Sequence, residues 1–333
     1  MTFEQILTDL KNKKYKPIYF LMGDEPYFID EITSFITDNI LTDSEKAFNQ
    51  IIFYGKDTEI ADIINTAKRF PMMSEHQVVV VREGQELINI ENLIYYTDNP
   101  LKSTILVINY KYKKLDKRLK LYKSVSYNGI LFESRKLYDY QVADWINSYL
   151  DKKGYKIEPS ACVLLIEFLG NELGKIVNEL EKLIIALNTD EKIITPASIE
   201  NNIGISKDFN NYELQKALIE KDVIKANRII NYFDKNQKNN PIALTITSLY
   251  FFFTKILSFH HIKDKSKKNM ASALKINPYF ISDYQKAARV YSANKVEQII
   301  SVLREYDLKS KGVGDLTSSP GSLLKELIFK ILH

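Results

Sequence analysis

Three apolar runs constrain this chain more than any other feature: "PIYFLM" at 17–22, "QVVVV" at 77–81 and "TILVI" at 104–108. Their apolar residues are nearly continuous rather than alternating, so strands built from them need cover on both faces. Parallel strands joined by crossover helices provide that cover. "QIIFY" at 50–54 and "GILFE" at 129–133 add two further strand patterns. Helical spacing recurs between the strands at 26–40, at 58–68 through Ile60, Ile63 and Ile64, and at about 114–124. This rhythm predicts a parallel α/β sheet over residues 1–139.

Strand signals stop after Glu133. "YQVADWINSYLDKKG", "PSACVLLIEFLG" and "NELGKIVNELEKLIIAL" read as three helices, the last with Leu173, Ile176, Val177, Leu180, Leu183 and Ile184 on one face. They predict a small helical domain at 140–207, bounded by the polar break "NIGISKDFNN" at 202–211. Residues 208–333 read as helical throughout, with a loop at 311–322 before a last amphipathic helix. The fold class is therefore α/β plus all-α. "NPIALTITSLYFFFTKILSF" approaches the length of a membrane span, but Thr245, Thr247, Ser248, Thr254, Lys255 and Ser258 interrupt it. It predicts a buried core helix with Pro241 at its start and no membrane contact.

The strand, glycine turn and helix of "PIYFLMGDEPYFIDE" form the framework of a phosphate-binding loop, which requires Gly-x-x-x-x-Gly-Lys-Ser/Thr. Counted from Gly23, the last three positions fall on Phe28, Ile29 and Asp30. Phe28 replaces the glycine that lets backbone amides approach an anion, Ile29 carries no charge, and Asp30 repels phosphate. The acidic metal-binding position expected after the third strand falls on Arg82, followed by Glu83. A cation there cannot coordinate Mg²⁺. Two separate defects predict no phosphoryl chemistry, no nucleotide cofactor and no catalytic residue in this domain.

The other chemical signals are few. Cys162, the only cysteine, lies in an apolar run and predicts a buried thiol, which fits a cytoplasmic location. His76, His260, His261 and His333 lack partners at metal-ligand spacing, so no metal site is expected. Thr2 and Gln5 suit a capping box on a first helix, and no basic leader with an apolar segment precedes them, so no signal peptide is expected. Residues 241–333 hold 14 Lys/Arg against 7 Asp/Glu, a net +7 within a chain total of +4. The densest piece, "KDKSKK" at 263–268, suits either polyanion contact or a solvated linker.

"AKRFPMMSEHQVVVV" places Phe70, Pro71, Met72 and Met73 together between a helix and a buried strand. Composition leaves two readings open. The side chains cap the local core, or they form an adaptable apolar binding surface of the kind methionine suits.

Six pieces occur in order along the chain: "PIYFLMGDEPYFIDE", "FPMMSEHQVVVVRE", "LGNELGKIVNELEKL", "DFNNYELQKALIEKD", "KINPYF" and "DLKSKGVGD". Together they resemble the delta subunit family of bacterial DNA polymerase III, the clamp-loader subunit that opens the sliding clamp. The resemblance implies an AAA+ type α/β domain with a degenerate P-loop, a small helical lid domain and a C-terminal helical collar at 208–333. It implies as partners the sliding clamp (beta subunit), other clamp-loader subunits in a heteropentameric ring, and primed DNA through the complex. The family grips the clamp with two adjacent bulky apolar residues before the third strand. These correspond to Met72 and Met73, where the family usually has Leu or Phe, and Phe70 stands beside them as a third contact. The resemblance thus favours the binding reading of the methionines. Such a subunit has no intrinsic ATPase, although the holoenzyme it serves is a DNA-directed DNA polymerase, a nucleotidyltransferase. Arg135 in "ESRKL" does not match the Ser-Arg-Cys of the family's finger-bearing subunits and reads as a surface residue. The alternatives are an active AAA+ ATPase of the same architecture and a helical nucleic-acid-binding protein without a clamp partner.

Overall fold

A computed structural model describes residues 1–187, 192–203, 206, 208–276, 278–314 and 317–333. Lys207 at the expected lid boundary, Asn277 of "KINPYF" and Asp315 of "DLKSKGVGD" lie outside the described residues. The chain divides into two compact units, 1–137 and 138–333.

The first unit runs α1 (Phe3–Lys11), β1 (Ile18–Gly23), α2 (Pro26–Asn39), α3 (Asp43–Asn49), β2 (Gln50–Tyr54) and α4 (Ile60–Ala67). It continues through β3 (Gln77–Arg82), α5 (Ile94–Thr97), β4 (Thr104–Lys111), α6 (Lys120–Asn128) and β5 (Ile130–Ser134). The five strands form one sheet in the order β2-β3-β4-β1-β5, and every pairing is parallel. Residues 18–23 of β1, 77–81 of β3 and 104–109 of β4 are buried throughout, as their unbroken apolar runs require. β2, at the sheet edge, is only partly buried and exposes Ile52 and Tyr54. The Thr2–Gln5 capping box of α1 is present in both directions.

Several helices differ from the sequence reading, α6 and α3 among them. α6 starts at Lys120 rather than near 114, because the preceding segment is tied elsewhere. The Leu115 N–H donates to the Met22 sulfur (3.2 Å), and the Asp116 carboxylate accepts from both the backbone N–H and the guanidinium of Arg118. α3 lacks an apolar stripe long enough to show as periodicity. Its signal is the Thr42–Glu45 capping box, which the structure forms fully.

The second unit contains α7 (Asp139–Asp151), β6 (Lys156–Ile157), α8 (Pro159–Leu169), α9 (Leu173–Ala186), β7 (Ile193–Ile194) and α10 (Pro196–Ile203). Then follow α11 (Asn211–Ile219), α12 (Val223–Lys235), α13 (Ile242–His261), α14 (Lys267–Leu274), α15 (Ile281–Val290), α16 (Ala293–Ser310) and α17 (Pro320–Leu332). The two short strands pair in parallel. Among the described helices, α13 alone is long and apolar enough to cross a membrane. Its Thr245, Ile246, Leu249, Phe252, Phe253 and Ile256 are buried among α11, α12, α15, α16 and α17 in the largest core of the unit. α17 starts at Pro320, inside the stretch read as loop, because Ser319 caps it and Pro occupies its first turn.

The turn after β1 depends on Gly23, whose φ of +125° lies where side chains are rarely tolerated. A Cβ there would sit 2.0 Å from the Ser134 carbonyl oxygen of β5. Gly23→Ala is therefore expected to destabilise the protein by about 3 kcal/mol or more. Urea unfolding measures this; a loss below about 1 kcal/mol would show that β1 and β5 separate without penalty.

Candidate functional site

The C-terminal ends of β1, β4 and β5 form the place where an α/β fold of this order holds a phosphate. Only Asp24 and Glu25 separate Gly23 from the first turn of α2, which starts at Pro26. Phe28, Ile29 and Asp30 are thus helical, where an active loop keeps its backbone amides open to an anion. Asp24 N–H donates to the Ser134 carbonyl (2.9 Å), and the Ser134 hydroxyl donates to the Glu25 carbonyl (2.6 Å). The buried Glu25 carboxylate accepts the Tyr27 N–H (3.2 Å) and caps α2. A side-chain carboxylate therefore occupies the positive end of the helix, where a phosphate would bind.

Phe28 and Ile29 are buried, and Phe28 packs its ring 4.7 Å from that of Phe3. Asp30 pairs with Lys111 at the end of β4 (2.6 Å). Lys114 reaches both Glu133 (3.0 Å) and Asp24 (3.5 Å), so the hydrogen bond and charge of Lys114 hold the Glu133 carboxyl below its ordinary range. Arg135 is exposed and lies 3.4 Å from Glu133. Cations at this mouth are matched to the chain's own carboxylates.

Arg82 ends β3 and is exposed, with Glu83 in the left-handed conformation (φ 54°) at the turn that follows. β4 lies between this position and Gly23. Among the described residues, no group of three or more His, Cys, Asp or Glu side chains is placed to hold a metal ion. In the second unit, Cys162 lines a cleft of about 400 Å³ together with Ile166, Phe252 and Tyr284. Burial pushes its thiol up to about 12, so it is no nucleophile.

Phe70, Met72 and Met73 lie at the other end of β3, roughly 20 Å away along the strand. They occupy the loop between α4 and β3 and are 76%, 62% and 102% exposed. The reading in which they cap the local core does not hold. Met73 adopts the left-handed conformation (φ 53°), at roughly 1 kcal/mol for a residue with a Cβ. The backbone around it is nonetheless fixed. The buried Asn49 side chain at the end of α3 accepts from the Met72 N–H (2.7 Å) and donates to the Met72 carbonyl (2.9 Å).

At the start of the loop, the buried Gln77 amide donates to the Arg69 carbonyl (2.5 Å), and the Thr104 hydroxyl donates to the Ala67 carbonyl (2.8 Å). At its end the His76 ring stands edge-on to Tyr15, 5.4 Å away. Phe48 on α3 is 68% exposed, while the adjacent Asn49 is turned inward. Sequence reasoning missed Asn49, whose partner Met72 lies 23 residues away; the Thr42–Glu45 pair signalled only the helix that carries it.

A parallel α/β domain with a degenerate phosphate loop, followed by a helical region, is the class that this fold defines. A model of the DNA polymerase III delta subunit matches residues 19–135, and one of its C-terminal domain matches residues 208–318, together more than half of the chain. The chain belongs to the DNA polymerase III delta subunit family. It is 24% identical over 323 residues to the DNA polymerase III subunit delta of Bacillus subtilis, a match spanning 93% of this chain and 92% of that protein. The solved Bacillus subtilis DNA clamp loader delta protein shares the fold, with a TM-score of 0.57 and 24% identity over 99% of each chain.

Two outcomes follow from this geometry. Ile29→Lys restores the missing charge but neither lengthens the loop nor removes the Glu25 cap. Calorimetric titration should therefore find no saturable ATP binding, in wild type or variant, up to about 1 mM; micromolar binding by either would contradict the geometry. Met73→Gly should leave stability within about 1 kcal/mol of wild type, since relief of left-handed strain offsets glycine's greater unfolded freedom. A fall of about 3 kcal/mol in thermal or urea unfolding would mean that the Met73 side chain packs against the domain.

Proposed function

We propose that this chain binds the sliding clamp of the replicative polymerase and favours its opened form for loading on primed DNA, without itself performing chemistry. The observation that carries the reading is the pair of adjacent, exposed methionines on a loop whose backbone is fixed. Exposed apolar side chains held in place at a domain end suit an apolar pocket on a partner. Membership of the delta subunit family supports the clamp as that partner. Met72 and Met73 are the anchors, with Phe70 as a third contact. Each buried apolar side chain contributes about 1.5–3 kcal/mol.

Such binding opens a clamp only to the extent that the contacts are better in the opened form than in the closed one. Energy from ATP enters at other subunits of a heteropentameric ring, which alters how far the loop can reach its target. On this reading residues 1–139 bind the clamp, 140–207 form a lid and 208–333 form the collar through which the subunits assemble. The work takes place in the cytoplasm, with DNA reached through the complex.

The closed turn after β1 argues against an active ATPase of the same architecture. The test is retention of the cognate sliding clamp by the full-length protein, comparing wild type with Met72→Ala/Met73→Ala. The double variant should lose affinity by at least about 30-fold with unchanged thermal unfolding. Equal affinity would overturn the site assignment. Equal affinity together with steep salt-dependent DNA binding by the isolated chain would favour a nucleic-acid-binding protein without a clamp partner.

A further inference from the structure

We propose that Asn49 is a positioning residue for clamp docking, fixing the Met72 backbone so that both methionines are presented before the partner arrives. The inference rests on the proposed clamp-binding role of the methionines and adds to it a residue that touches no partner.

Asn49 is 2% exposed and ends α3. Its side-chain amide uses both of its polar atoms on one residue 23 positions along the chain. The oxygen accepts the Met72 N–H (2.7 Å), and the nitrogen donates to the Met72 carbonyl (2.9 Å). The remaining amide hydrogen is directed to the Glu45 carbonyl one turn back (3.1 Å). A primary amide is the one side-chain group of this size that offers a donor and an acceptor side by side. It therefore grips Met72 as a neighbouring β-strand would, although no strand is there.

The helix that carries Asn49 is itself fixed at its start. On that helix Glu45 accepts from the Thr42 backbone N–H and hydroxyl, and these bonds keep its carboxyl below the ordinary range. Glu45 and Asn49 stand four residues apart and so share one face of α3. Met73 is thus fixed through its neighbour Met72, while its own side chain is wholly exposed. Without these ties a left-handed methionine would relax toward the commoner backbone regions. The loop would then have to be reordered at each encounter, which lowers affinity.

Clamp affinity is measured by surface plasmon resonance for four full-length proteins: wild type, Asn49→Ala, Met72→Ala/Met73→Ala and the triple variant. Thermal unfolding is recorded for each. Asn49→Ala should weaken binding by about tenfold when Met72 and Met73 are present, and should cause no further loss when they are absent. That non-additivity marks positioning, since a general structural role would lower affinity equally in both backgrounds. An equal loss in both backgrounds, or none in the wild-type background, overturns the inference while leaving the methionine assignment intact. Absence of any loss in Met72→Ala/Met73→Ala overturns the assignment beneath it. Should Asn49→Ala fail to fold, Asn49→Asp keeps the shape and the acceptor but not the donor. It takes the same place in the cycle with the same expected non-additivity.

Discussion

Burial of the central strands on both faces governs where function can reside in the first unit. β1, β3 and β4 carry no solvent-facing side chains over most of their length, so the sheet faces are taken up by helix packing. The two ends of the sheet and its β2 edge remain for contact with anything else. At the end where the strands finish, Gly23 turns so close to Ser134 that α2 starts after two residues. The short turn sends Phe28 and Ile29 into the core and brings Glu25 to the helix N-terminus. Loss of the phosphate loop is thus a backbone event as well as a change of side chains. The opposite end of the sheet keeps an exposed loop that carries Phe70, Met72 and Met73.

Much of this was legible from the residues. The continuous runs 18–22, 77–81 and 104–108 could only be strands covered on both faces, which is how they fold. Ile29 and Arg82 stand where a nucleotide site needs a lysine and an acid. The role of Glu25 was not legible, because a glutamate two residues after a glycine carries no sign that its carboxylate will fold back onto Tyr27. α3 was hidden for a different reason. Seven residues give too few turns for an apolar stripe, so only its capping box announced it. Asn49 had no local signal at all, since its partner Met72 lies 23 residues away and the contact exists only once β2 and β3 have paired.

The α4–β3 loop combines properties that sequence patterns treat separately. Phe70, Met72 and Met73 are apolar and exposed, a combination that weakens solubility in the free protein. The backbone beneath them is held by Asn49, Gln77 and Thr104, all of them buried polar residues with partners. Burying an amide is favourable only when its hydrogen bonds are made. Here those bonds go to the loop and to the end of the helix before it. Substituting any of the three removes a support of the loop, which is thereby coupled to that end of the sheet.

Rigid backbone and flexible side chain have complementary effects on recognition. A methionine side chain has three rotatable bonds beyond Cα and adapts to the outline of a pocket. That freedom has an entropic cost on binding, which a leucine or phenylalanine at the same place incurs to a smaller degree. A fixed backbone limits the total, because only the side-chain torsions remain to be ordered on contact. On this argument the proposed use of Met72 and Met73 as anchors depends on α3. The more adaptable an anchoring side chain, the more of its affinity must come from holding the backbone, here at Met72, in place beforehand.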